Sequence, residues 1–201
     1  MQPKVKTYWS LVFFITVLEL GITVNAQSMK ELDKPSKINI SSQYTGMETG
    51  VPVISPPKPC GTNKYEITVI VGDITHPEGR VVADLHNDIE DGGIIWNKTM
   101  LRVRVPTQKG KTKFCIPVAK PGTYALAVYY DKNNNGKFDK GIMHIPKEMF
   151  GMSNNPDFGL KMPAFKEAEF QVSNTGVQLE ITLRSAHDIL NKHQNEVYQK
   201  K

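Results

Sequence analysis

Cysteine is scarce in this chain: two in 201 residues, Cys60 and Cys115. That excludes a small scaffold stapled by many disulfides, and with no histidine nearby it excludes a Cys/His zinc site. No cysteine follows the N-terminal apolar run, so a lipoprotein cleavage site is missing as well. The five histidines, His76, His86, His144, His187 and His193, are dispersed, and none form the H-x-x-x-H spacing of a helical metal pair. A phosphate-cradling glycine loop is absent. Ser153 in Gly151-Met152-Ser153-Asn154 lacks the second glycine of a nucleophile elbow. Charge of one sign does not dominate either: 25 Lys and Arg stand against 20 Asp and Glu, a net +5. The lysines are scattered, and Lys200-Lys201 is too short for a nucleic-acid arm. The excess charge reads as a solvated basic surface, with no nucleic acid among the expected partners.

The N-terminus carries export features. Lys4 and Lys6 precede a mostly apolar run from Leu11 to Val24, interrupted by Glu19. Val24-Asn25-Ala26 then places small residues at the −3 and −1 positions, so residues 1–26 are expected to be a signal peptide cleaved before Gln27, with an uncleaved anchor as the alternative that Glu19 argues against. The expected location is periplasmic or extracellular, with no stable membrane span after cleavage. In an oxidising compartment Cys60 and Cys115 are a candidate disulfide, with two separate thiols as the alternative. Closing so long a loop would add about 4 kcal/mol in the chain-entropy model.

Residues 27–59 are polar and then proline-rich, with four prolines between Val51 and Pro59. Proline supplies no N–H to a ladder, so this stretch is expected to be a disordered, flexible tether. From Tyr65 the pattern changes. Apolar alternation or short apolar runs mark strands over 65–71, 80–86, 100–105, 113–118, 123–131, 165–172 and 177–184. In the fifth, Tyr124, Leu126, Val128 and Tyr130 share one face while Ala125 and Ala127 share the other, which marks a central strand. Asn174 to Gly176 reads as a hairpin connector between the last two. Seven short strands without long helical patterns imply an all-β domain over 60–184, an antiparallel β-sandwich. Residues 185–201 form a short tail with a helical stripe of Ile189, Leu190, His193 and Val197, expected to be marginally ordered.

The chemistry concentrates at the end of the central strand. In Asp131-Lys132-Asn133-Asn134-Asn135-Gly136-Lys137-Phe138-Asp139, oxygen-bearing side chains fall at alternate positions, followed by a glycine and a second carboxylate. That spacing lets a short loop wrap a hard cation such as Ca²⁺. Asp131, Asn133 and Asn135 take positions 1, 3 and 5. Gly136 takes the sharp turn, Lys137 offers its backbone carbonyl, and Asp139 ligates directly or through water. Position 12 is Ile142 rather than a bidentate Glu, so this is not an EF-hand but a shorter loop grafted on a strand end. Glu148 is the candidate extra ligand. Two carboxylates beside two lysines imply weak binding, on the order of 10⁻⁴–10⁻³ M. The competing reading is a bare Asn-Gly turn with Asx caps.

Pro121-Gly122-Thr123-Tyr124-Ala125 runs into this loop. After it come Ile145-Pro146-Lys147-Glu148, then Phe150-Gly151-Met152-Ser153-Asn154-Asn155, then Pro163-x-Phe165-x-x-Ala168-x-Phe170. This ordered run, over roughly 65–184, resembles the bacterial domain-of-unknown-function family 2141. The resemblance implies an exported β-sandwich of transthyretin-like or immunoglobulin-like kind and no established activity. Tyr130 stands where the family commonly has His, and His144 where it commonly has Gly. The expected function is a non-enzymatic envelope module, Ca²⁺-stabilised, binding a partner protein or a glycan; Trp96 reads as a core or edge anchor, with sugar stacking as the alternative. Two alternatives stand beside it. One is a hydrolase using the irregular 141–163 segment, where only His144, Glu148 and Ser153 offer themselves. The other is an inert spacer.

Overall fold

A computed structural model describes residues 40–87, 98–158 and 162–199. The expected signal peptide and Trp96 lie outside the described residues. Among the described residues ten strands form: β1 (Gly46–Glu48), β2 (Val51–Ile54), β3 (Glu66–Ile74), β4 (Arg80–Asn87), β5 (Leu101–Pro106), β6 (Gly110–Pro117), β7 (Gly122–Asp131), β8 (Phe150–Met152), β9 (Glu169–Val172) and β10 (Val177–Thr182). One sheet runs in the order β1-β2-β5-β4-β7-β8, with β9 also paired to β7, and the other in the order β10-β3-β6.

The seven expected strands are present, and β7 is central as expected. It pairs with β4 along one side and with β8 and β9 along the other. Its alternation feeds two cores. Tyr124, Leu126, Val128 and Tyr130 face the space between the sheets, packed with Ile67, Val69, Val71 and Leu85. Ala125, Ala127 and Tyr129 face a second cluster with Phe150, Met152, Phe165 and Ile189. The Tyr124 hydroxyl donates to the Lys120 carbonyl at 2.9 Å, which pins the strand start. Cys60 and Cys115 form a disulfide, with Cα atoms 5.2 Å apart, tying the segment before β3 to β6.

Three expectations need correction. The sheets are mixed rather than antiparallel, because β10 runs parallel to β3 and β2 parallel to β5. For β10 the cause is that β9 and β10 do not form the expected hairpin; β2 lies in a segment expected to be a tether. The Ser173–Gly176 turn closes with an N–H···O bond of 3.1 Å, yet β9 joins one sheet and β10 the other. Phe170 and Val172 enter the core from one side, Leu179 and Ile181 from the other, so the turn is a corner between layers. Second, the expected tether is ordered structure from Ile40 on. β2 buries Val53 and Ile54. Pro52 faces Met47 in the short β1–β2 ladder and takes no part in the parallel ladder to β5, which uses only Val53 and Ile54. Third, the strand expected from Phe165 starts at Glu169, since residues Phe165–Ala168 form one helical turn whose Glu167 carboxylate accepts the Ala164 N–H at 2.7 Å.

The C-terminal stretch is a helix, α1 (Ala186–Gln199). The Ser185 hydroxyl accepts the Asp188 N–H at 3.1 Å, a cap that satisfies an orphan donor. Ile189 docks α1 into the second cluster. Among the described residues no helix is long and apolar enough to cross a membrane.

Candidate functional site

β7 delivers Asp131 to the loop with its side chain fully buried, at 0 % exposure. Its Oδ1 accepts the Asn135 N–H at 3.0 Å and its Oδ2 the Gly136 N–H at 2.9 Å. Two further Asx bonds wind the loop: Asn133 Oδ1 accepts from Asn135 N at 3.2 Å, and Asn135 Oδ1 from Lys137 N at 2.8 Å. Asn134 and Gly136 take the left-handed backbone, at φ 59° and 79°, the conformation Asn and Gly tolerate best. Asn133 and Asn135 both donate Nδ2–H to Asp139 Oδ2, each at 2.8 Å. Three of the five expected ligands, Asn133, Asn135 and Asp139, therefore meet directly. Asp131 binds the loop backbone from its root.

Glu148 joins this group. Residues 139–148 double back as a finger: the Lys147 N–H donates to the Asp139 carbonyl at 3.0 Å, and the Gly141 N–H to the Ile145 carbonyl at 2.7 Å. The Asp139 N–H then donates to Glu148 Oε2 at 3.2 Å. Glu148 is only 8 % exposed, and its Oε1 has no hydrogen-bond partner. Burial pushes this carboxyl up to about 7; the charges of Asp131 and Asp139 add to the rise, and the Asp139 N–H opposes it. The carboxylates do not close into a finished cage. Among the described residues the triad of acidic, His or Cys ligand atoms within 4.8 Å of one another is Cys60, Glu66 and Cys115, and both of those sulfurs are locked in the disulfide.

Behind the loop lies an ion network that the sequence reading missed. Arg104 on β5 donates to the Gly136 carbonyl at 3.0 Å and stands 3.7 Å from Asp131 Oδ2. It also grips Glu48 of β1 through Nε at 3.0 Å and Nη2 at 2.6 Å. Arg102 binds Asp84 bidentately, with both bonds at 2.7 Å, and reaches Glu48 at 3.3 Å. The Arg104 bond holds the Glu48 carboxyl below its ordinary range. The sequence offered Asp84, Arg102 and Arg104 on two successive strands, but only the β4–β5 register shows Asp84 directly opposite Arg102. Glu48 was hidden in the supposed tether.

The hydrolase trio is not assembled. His144 is exposed at the end of the finger, and Glu148 lies buried against Asp139. The Ser153 hydroxyl is fully buried. It accepts the Leu126 N–H at 3.0 Å and donates to the Ala168 carbonyl. Its neighbours are equally structural. Asn155 bridges to β10, donating to the Glu180 carbonyl and accepting the Thr182 N–H, both at 2.8 Å. A Cβ on Gly151 would meet the Thr182 carbonyl at 2.6 Å. The run from Phe150 to Asn155 is thus a staple between the sheets.

A family model described as "Uncharacterized protein conserved in bacteria (DUF2141)" matches residues 69–180, from β3 into β10 and including the loop and finger. No curated protein and no solved structure matches the chain.

Proposed function

We propose, for a chain that belongs to the DUF2141 family of uncharacterised bacterial proteins, that it is an exported, non-enzymatic envelope module stabilised by Ca²⁺ at residues 131–139 and Glu148. The two-sheet architecture is read here as a transthyretin- or immunoglobulin-like sandwich, and the loop as the device that fixes one end of it for binding a partner protein or glycan. Glu148 carries the reading: a buried carboxylate oxygen without a partner, placed against Asp139. Desolvating an ionised carboxylate is costly unless a cation or donor compensates it.

The donor set fits a hard ion. Asp131, Asn133, Asn135, Asp139 and Glu148 offer oxygen only. The loop already satisfies itself, however. To receive a cation, both Asn amides must turn their oxygens inward and give up their bonds to Asp139. Arg104 beside Asp131 also offsets part of the negative charge. Both effects weaken binding and support the millimolar range rather than a tight site.

Thermal melting in EDTA and then across a Ca²⁺ series to millimolar levels tests this. Above Kd the stabilisation grows by about 1.4 kcal/mol per decade of Ca²⁺. Mg²⁺, which demands a tighter octahedron, is expected to give less. Asp131→Ala and Asp139→Ala should each abolish the shift. An unchanged melt in all conditions would leave the loop as an Asx turn and the chain as a spacer.

A further inference from the structure

The tip of the finger breaks a local rule. Ile142 to Ile145 forms a tight turn closed by the Ile145 N–H on the Ile142 carbonyl at 3.4 Å. Its two central residues, Met143 and His144, both have left-handed backbone, at φ 59° and 60°. That is the type I′ pattern, which strongly favours Asn-Gly because both positions need positive φ. Instead a long apolar side chain occupies the first position. Ile142 and Met143 stand 89 % and 83 % exposed, and Ile145 is exposed as well. A turn that gives up its preferred residues to hold apolar side chains in water marks a functional surface rather than a folding requirement.

The surroundings specify the partner. The finger is stiffened by the Lys140–Pro146 bridge and the Gly141–Ile145 bond. Lys132, Lys137, Lys140 and Lys147 are all exposed on the loop and finger, whereas Asp131 and Glu148 are buried. The remaining acid, Asp139, is half-buried and its Oδ2 accepts from the Asn133 and Asn135 amides, so four exposed lysines outweigh it around an apolar point. A stable protein interface buries about 800 Å² on each side, more than a narrow turn offers. A bilayer needs only a few apolar side chains at the headgroup boundary, with cations above anionic lipid.

We infer that residues 140–147 are a membrane-insertion tip, dipping Ile142 and Met143 into an anionic phospholipid surface while the flanking lysines hold the headgroups. This goes beyond the Ca²⁺ reading and does not depend on it.

The test is co-sedimentation of the protein, as recovered from producing cells, with phosphatidylglycerol/phosphatidylcholine vesicles and with phosphatidylcholine vesicles alone, each in EDTA and in Ca²⁺. The decisive variant is Met143→Asn/His144→Gly, which installs the preferred turn residues and removes the apolar point. It should melt at or above the wild-type temperature yet partition onto anionic vesicles at least about tenfold less. Lys140→Ala/Lys147→Ala should lose the preference for anionic over neutral lipid. Equal binding by wild type and the Met143→Asn/His144→Gly variant overturns the proposal, as does wild-type binding that is absent or no stronger on anionic lipid. Anionic binding in EDTA with no Ca²⁺-dependent melting shift would sink only the cation reading.

Discussion

Glu148 sits in the fold with its carboxyl pushed up to about 7 from 4.5. As pH rises from about 4.5, the unfolded chain releases this proton first. The folded state then holds more protons, and its stability falls until about pH 7, where the loss is complete. Glu148→Gln should therefore flatten the stability profile across that window and raise the urea midpoint at pH 7.5 in EDTA. In millimolar Ca²⁺ the order should reverse, because the ion needs the carboxylate. Glu48 acts with the opposite sign: its Arg104-held carboxyl is lowered from 4.5, so its contribution is present above that value and lost as pH falls. The two windows are separate and can be read from one titration. Gly79 makes a second demand at this scale. At φ 78° a Cβ there would run into the Asp131 carbonyl and, at 2.8 Å, Lys132 Cα. Gly79→Ala should cost more than about 2 kcal/mol by urea unfolding and should also blunt the Ca²⁺ response, since it pushes on the root of the loop.

Among the elements, the β1–β2 hairpin is the one whose loss is most informative. It contributes Val53 and Ile54 to the buried interior and Glu48 to Arg104. A chain starting after Pro57 loses two buried aliphatic side chains and leaves Arg104 short of a carboxylate. Together these amount to about 4 kcal/mol. Glu48→Ala alone should cost about 1–3 kcal/mol, and denaturant unfolding of both would separate packing from charge. This hairpin was also the least legible part of the sequence. Proline at positions 52, 56, 57 and 59 has the composition of a spacer, and a ladder two residues long leaves no period to detect. β8 escaped for a similar reason, since three residues cannot show alternation. β10 was legible because one buried face imposes a period of two, and β7 because large residues on one face alternate with alanines on the other along a run buried on both. The loop was legible as a spacing. Glu148 could be suspected, but its burial depends on the finger, and the finger turns on Met-His where the sequence signal would have been Asn-Gly. The layer switch after β9 has no local signature at all: the Ser173–Gly176 turn looks the same whether its strands pair or part.

For the molecule as a whole, the disulfide spans 55 residues and ties the approach to β3 to the edge strand β6. Its reduction should lower stability by about 4 kcal/mol in the chain-entropy account, measurable as a drop in melting temperature on adding reductant, with Cys60→Ala/Cys115→Ala matching the reduced protein. The disulfide also divides the chain mechanically. A load drawn through the N-terminal side reaches β1 and β2 first, and β2 is held to β5 by only a short ladder. This hairpin is the part that would peel, paying out about 70 Å over residues 40–59 at full extension. The slack then ends at Cys60, because the covalent link passes the force directly to β6 and spares the strands between. Glu48 leaves with β1, so Arg104 would lose its clamp while the sheets stay shut, and the loop at Asp131 would register tension on the N-terminal side without the domain coming undone.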